Sequence, residues 1–149
     1  MGIKVRGFSA IKKNLDRTEE RVVKHSLEWL ELAGKIIANE AKMRAPVDTH
    51  DLEKAIKSDQ DPNVTGINRR KTIRVYVDLD ALDLEEKHAG FDYATQMHEG
   101  TYNLGPKSQI KDSLTDRGVG PKYLERALEE NIERLKRMYE DRVRRALKQ

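Results

Sequence analysis

Cysteine is absent from this 149-residue chain, which excludes a disulfide framework, a thiol nucleophile and a thiolate metal site. Aromatic side chains are scarce, with five Tyr, two Phe and one Trp. Apolar and charged residues each make up 37% of the chain, a balance that favours long, solvated helices over a thick globular body. We therefore expect the fold to be held by the packing of helices or by assembly with other subunits.

Long apolar runs are also missing, since no stretch approaches the ~20 residues needed to span a membrane. The first residues contain no apolar segment of signal-peptide length. We therefore expect a protein made and used in a soluble compartment, with no membrane partner. The length predicts a single domain over residues 1–149.

Charge of one sign does not dominate, because 29 Lys and Arg face 26 Asp and Glu, for a net charge of +3. That balance does not by itself indicate nucleic-acid binding. Basic residues nevertheless concentrate at Arg69 to Lys71 and near the C-terminus. Acidic residues interleave with the second group and predict i, i+4 pairs. We therefore favour a solvated helix face over a DNA contact for this group. The expected pairings are Glu129–Glu133–Arg137 and Glu133–Arg137–Asp141. The basic residues of the group are Arg134, Lys136, Arg137, Arg142, Arg144, Arg145 and Lys148.

Apolar and small residues recur at helical spacing from Ser9 to Arg44. An unbroken helix over this range would be roughly 54 Å long, so we expect a kink, near Thr18 or Gly34, or packing against a neighbouring subunit. Pro46 ends the helix. A short second helix over 51–56 follows, capped by Asp48 or Thr49, with Leu52 and Ile56 on its buried side.

Strict alternation from Thr72 to Leu79 predicts a strand, with Ile73, Val75, Val77 and Leu79 on one side. Its partner is either the region around Ile56 or the segment 91–98. Turn-forming residues from Ser58 to Gly66 indicate a loop or hairpin.

The segment 102–120 lacks a sustained period and predicts a long loop, mobile in the isolated subunit and ordered by a partner. From Pro121 onwards, helical spacing returns and continues to the C-terminus. The predicted fold class is α+β, a small antiparallel sheet flanked by two long helices.

The only cluster that suggests a metal is His98-Glu99 with His88 and Asp92 upstream. The helical zinc signature requires a second His four residues after the first, and position 102 is Tyr. No glycine-rich phosphate loop and no spacing of a nucleophile and its base are present. We therefore predict a protein that is not an enzyme and has no cofactor, with a hydrolase or metalloenzyme as a distant alternative.

Three segments together resemble a known phage family. The stretch 36–56, which contains Ala-Pro-Val-Asp-Thr-His-Asp-Leu, resembles the helix and Ala-Pro-Val-Asp-Thr-Gly-x-Leu motif of lambdoid-phage minor tail components of the tail-completion and head–tail joining group. Residues 93–101 resemble its Tyr-Ala-x-x-x-Glu-x-Gly-Thr segment, and residues 122–131 resemble the opening of its last helix. His50 and Ala55 depart from the Gly and Ser that are usual there.

The resemblance implies a structural virion protein of the phage tail or neck that forms a hexameric ring. Its implied partners are further copies of itself, the tail tube protein and a head connector or stopper protein. DNA would pass nearby without specific binding. The alternative is a DNA-binding or packaging accessory protein that uses the basic C-terminal helix. Candidate interface residues are Trp29, Ile37, Val75, Val77, Tyr93, His98, Glu99, Leu104, Ile110, Leu114, Tyr123 and Leu124.

Overall fold

A computed structural model describes residues 8–47, 50–61, 71–82 and 93–148, with side chains from residue 11 onwards. Asp48, Thr49, Arg69, Arg70, His88 and Asp92 therefore lie outside the described residues. The elements in chain order are α1 (Phe8–Arg44), α2 (Asp51–Ala55), β1 (Ile56–Gln60), β2 (Ile73–Val77), a 3₁₀ turn (Leu79–Ala81), α3 (Tyr93–Glu99), α4 (Pro106–Thr115), α5 (Tyr123–Glu129) and α6 (Ile132–Lys148). The predicted α+β class is confirmed.

Helix α1 runs unbroken for 37 residues, so neither Thr18 nor Gly34 interrupts it. Small side chains along its C-terminal half are buried, among them Ala33, Ala38 and Ala41, and they let the other elements approach closely. The helix is the element against which the strands, α5 and α6 all pack. No helix in the described part of the chain is long and apolar enough to cross a membrane.

Gly34 lies where α1 packs tightly against the sheet. A Cβ atom placed there would lie 2.4 Å from Ile73 Cγ2 and 2.4 Å from Ser58 Oγ. Glycine in the middle of a helix is unfavourable by about 1 kcal/mol relative to alanine. Close packing against β1 and β2, and not a kink, therefore accounts for this residue.

Replacing Gly34 with Ala should destabilise the protein by about 1–2 kcal/mol, because overpacking costs about 1–3 kcal/mol and outweighs the gain in helix propensity. Urea unfolding of Gly34→Ala measures the loss. Ser58→Ala combined with Ile73→Ala removes the two nearest atoms, and in that background the same substitution should be close to neutral. An equal loss in both backgrounds would contradict the packing explanation.

The two strands pair antiparallel, with Ile56 opposite Val77 and Gln60 opposite Ile73. The region around Ile56 is thus the confirmed partner of β2, and the alternative at 91–98 is wrong because Tyr93–Glu99 forms α3. Ser58 to Gln60 also belong to β1, so the predicted turn begins too early. Leu79 lies in the 3₁₀ turn and is exposed, so its predicted place in the strand is wrong.

His50 precedes α2 with a φ of 67°, in the left-handed region that favours glycine. It stands where the resembling phage segment has Gly, so the tight turn is present despite the substitution. Its ring Nδ1 lies 2.9 Å from Glu53 Oε2. Leu52 and Ile56 are both buried, as predicted, although Ile56 begins β1 instead of ending the helix.

The prediction of a structureless loop over 102–120 is wrong between Pro106 and Thr115, which form α4. The signal that was missed is Gly105-Pro106, a helix start with proline in the first turn. Ser108 Oγ donates to Val47 O and accepts from Val47 N. Lys111 Nζ donates to the carbonyls of Lys42 and Ala45 and to the Glu53 carboxylate. These polar contacts fix α4 against the end of α1.

The last predicted helix is divided into α5 and α6. The break follows Glu129, where the buried Asn131 donates from Nδ2 to Ala127 O, a local bond that competes with the helical ladder. Pro121 lies before α5, whose N-cap Lys122 has a φ of 55°. The sequence pattern does not reveal the break, because the apolar spacing continues across it.

Candidate functional site

An open cleft between β2 and α3 contains much of the predicted interface set. We call it the sheet–helix cleft. Its lining joins three strand positions, both ends of α3, the start of α5 and the 3₁₀ turn, so residues far apart in sequence meet there. The residues are Val75, Tyr76, Val77, Leu79, Ala94, Thr95, His98, Glu99, Tyr123 and Leu124.

The packing behind this cleft explains its shape. Val75, Val77 and Leu124 are half-buried and lie against the core cluster, as do Ile37 and Tyr93. Tyr123 is 0% exposed and therefore belongs to the core of the subunit. It shapes the floor of the cleft and offers no surface to a partner.

His98 sits at the rim with its ring edge-on to Tyr123, at 4.9 Å between centroids. Its Nδ1 lies 2.6 Å from Glu99 Oε1, and its carbonyl accepts from Lys122 N at 2.6 Å. The described residues contain no group of three His, Asp or Glu arranged to hold a metal, while His88 and Asp92 lie outside them. The pair therefore joins α3 to the start of α5, and the absence of a metal stays a prediction.

A second apolar surface is carried by α4. Ile110 is 60% exposed and Leu114 is 81% exposed, one helical turn apart on the same side. We call this pair the α4 ridge. Ser108 and Lys111 point away from the ridge tip, and their contacts with the end of α1 and the residues just after it hold α4 in place.

Leu104 and Tyr93 line a separate hollow with Val47, Met97 and Tyr102. Tyr102 donates its hydroxyl to Met97 O at 2.7 Å. Burial raises the pKa of Tyr102 to about 12, with a smaller contribution from Tyr93, so the phenol stays protonated and keeps donating. This hydrogen bond positions the segment that leads into α4.

Trp29 lies on the side of α1 that packs against α6, away from both apolar surfaces. Its ring packs on Tyr139, with centroids 4.7 Å apart, and Tyr139 Oη lies 3.2 Å from Ser26 Oγ. The contact belongs to the packing of the two long helices within the subunit. Sequence periodicity identified Trp29 as a packing residue but not the helix that covers it.

The cleft residues that the sequence analysis missed are Tyr76, Leu79, Ala94 and Thr95. Alternation placed Leu79 in the strand, yet it is 58% exposed at the edge of the cleft. The signal that could have identified it is Asp78, whose side chain accepts from Asp80 N and caps the 3₁₀ turn. Tyr76 was assigned to the side of the strand away from Val75 and Val77, and its hydroxyl donates to Asp59 at 2.7 Å.

A long helical frame, a two-stranded sheet and two apolar surfaces characterise the described part of the subunit. A family model for the HK97-gp10-like bacteriophage tail components matches residues 9–97, which span α1, α2, both strands and most of α3. The chain therefore belongs to this family of phage tail components and has a structural role in the virion. No curated protein and no solved structure matched the chain.

Proposed function

We propose that this protein is a ring-forming subunit of the phage neck or tail end that joins the tail tube to the head connector. The single observation that carries the proposal is the pair of apolar surfaces on one subunit, the sheet–helix cleft and the α4 ridge. The ring is hexameric, and its further partners are the tail tube protein and a connector or stopper protein. Its action is binding, without bond chemistry.

Ring closure places a geometric demand on the subunit. A closed ring of identical subunits with more than two members requires a heterologous contact, in which two different surfaces of the subunit meet. The α4 ridge protrudes, and the sheet–helix cleft is concave. We propose that the ridge of one subunit enters the cleft of its neighbour, where Leu114 would meet Val77, Leu79 and Leu124.

The test uses two single substitutions. Leu114→Glu alters the ridge, and Leu79→Glu alters the cleft, each at an exposed residue. Neither variant alone should form rings in sedimentation velocity, with or without the tail tube and connector proteins. Their equimolar mixture should form dimers and stop there, because only one intact ridge and one intact cleft are left to pair. Leu128→Glu, at another exposed leucine, is the matched control and should assemble like the wild type.

Two results would overturn this arrangement. Wild-type protein that stays monomeric with both partner proteins present rules out the ring. A mixture of the two variants that shows no dimer rules out the heterologous contact. Thermal unfolding of each variant, close to that of the wild type, establishes that folding is intact.

A separate experiment tests the prediction that the protein holds no catalytic metal. The purified wild type and the double variant His98→Ala with Glu99→Ala should contain no stoichiometric zinc or manganese by elemental analysis. A tightly held metal in the wild type that the double variant lacks would favour the metalloenzyme alternative.

A further inference from the structure

Basic side chains recur along one face of α1 and along one face of α6. On α1, Arg17, Arg21, Lys24 and His25 recur at i, i+4, i+7 and i+8, which places them on one helix face. On α6, a second stripe of this kind recurs at i, i+3, i+11 and i+14. We call the two stripes together the basic face, and its α6 part comprises Arg134, Arg137, Arg145 and Lys148.

The two stripes meet across a groove between α1 and α6. His25 and Trp29 from α1 and Arg142 and Arg145 from α6 line the same cleft, of about 470 Å³. The acidic residues in or beside it are engaged locally. Glu28 accepts from Arg142 at 2.8 Å, and Asp141 lies 4.0 Å from Arg144.

Among the described residues, the basic face has fewer ion pairs to carboxylates than its number of basic side chains would suggest. Some lysines elsewhere are paired, as in Lys136 with Glu133 and Lys122 with Glu125, each at 2.9 Å. Along the described parts of the basic face, Arg17, Lys24, Arg134, Arg145 and Lys148 contact no carboxylate. Arg137 was predicted to pair with Glu133 and Asp141, but its Nε donates to the Glu133 carbonyl. The predicted carboxylate pairings of Arg137 are therefore wrong, whereas the predicted exposure of this face is confirmed at Arg134, Arg137, Arg145 and Lys148.

The charged groups that can meet a ligand are exposed, as at Lys24, Arg137 and Arg145. Guanidinium and ammonium groups donate hydrogen bonds and cannot accept them. A ligand for this face must therefore bring acceptors, and a phosphate oxygen is an acceptor with negative charge.

We propose that the basic face binds the phosphate backbone of duplex DNA without reading its sequence. This inference is independent of the proposed ring. The α6 stripe extends over roughly 21 Å at 1.5 Å per residue, and duplex DNA carries a charge about every 1.7 Å of its axis. A row of charges along each of two helices suits such a linear polyanion better than an acidic protein, whose interface would need an apolar centre.

The experiment measures the salt dependence of binding by the full chain. A fluorescein-labelled 24-base-pair duplex of mixed sequence is titrated, with fluorescence anisotropy read at 50–200 mM NaCl. The wild type should bind, with log K falling linearly against log salt concentration. Arg137→Gln combined with Arg145→Gln should weaken binding on the order of tenfold at 50 mM salt and make the slope shallower by about 0.9 for each residue removed.

The matched control is Lys122→Gln combined with Lys136→Gln, which removes the same charge from paired lysines off the basic face. It should change binding by less than about twofold. An equal loss in the control would show that net charge and not this face is responsible, and would overturn the proposal. So would a wild type that does not bind duplex DNA at 50 mM salt. Displacement of the duplex by equal charge of poly-L-glutamate would reject phosphate as the preferred ligand.

Discussion

Replacing Arg44 with Ala should destabilise the protein by about 3–5 kcal/mol, because it leaves a buried carboxylate without its partner. Arg44 is 1% exposed. It donates from Nη1 to Glu40 Oε2 at 2.6 Å and from Nη2 to Glu130, so one guanidinium connects α1 to the end of α5. Urea unfolding followed by circular dichroism measures the loss.

Two comparisons isolate this effect. Arg117 lies 3.4 Å from Glu40 at the edge of the same cluster, and Arg117→Ala should cost less than about 1 kcal/mol because its side chain is largely exposed. Adding Glu40→Ala to Arg44→Ala should recover part of the loss, since the stranded charge is then gone. Strictly additive losses in the double variant would contradict the account.

The same cluster predicts a pH dependence. The hydrogen bond from Arg44 lowers the pKa of Glu130 below its ordinary value of 4.5, against the opposing effect of burial. A lowered pKa in the folded state contributes stability above pH 4.5 that is lost as the pH falls below that value. In Glu130→Gln, the unfolding free energy should therefore fall less steeply below pH 4.5 than in the wild type.

The second large effect is expected at the floor of the sheet–helix cleft. Tyr123→Ala should cost about 3–5 kcal/mol, because it removes a fully buried ring and leaves a cavity. The ring is 0% exposed and packs against His98 from α3, so the loss should also loosen the joint between α3 and α5. Thermal and urea unfolding give the change in free energy.

Tyr123→Phe is the control for Tyr123→Ala, because it retains the ring volume and removes only the hydroxyl. It should cost less than about 1.5 kcal/mol. A loss as large as that of the alanine variant would show that the hydroxyl, and not the packing of the ring, holds the site.

Periodic elements could be predicted from the sequence, and elements fixed by distant contacts could not. The repeat from Ser9 to Arg44 and the alternation of Ile73, Val75 and Val77 predicted α1 and β2 because burial imposes those periods locally. Helix α4 was missed because its stability comes from Ser108 and Lys111 binding the end of α1, more than 60 residues away.

Only part of the candidate site could be predicted from the sequence, because burial by distant elements is not visible in residue spacing. Helical and strand spacing selected Val75, Val77, Tyr123 and Leu124, and the structure brings them together. Spacing alone cannot distinguish the buried floor of a cleft from its exposed wall, so Tyr123 and Leu124 received the same interpretation. That distinction depends on which elements cover each side chain.

The uneven cover of α1 has a kinetic consequence. Its first turns are exposed from Ile11 to Arg17, its middle is half-buried by α6, and its C-terminal end is buried. Backbone amides of one continuous helix should thus exchange with deuterium over a graded range of rates, fastest toward Phe8 and slowest near Ala41. The helix can open from its N-terminal end, turn by turn, while the hydrogen bonds that border the core stay closed.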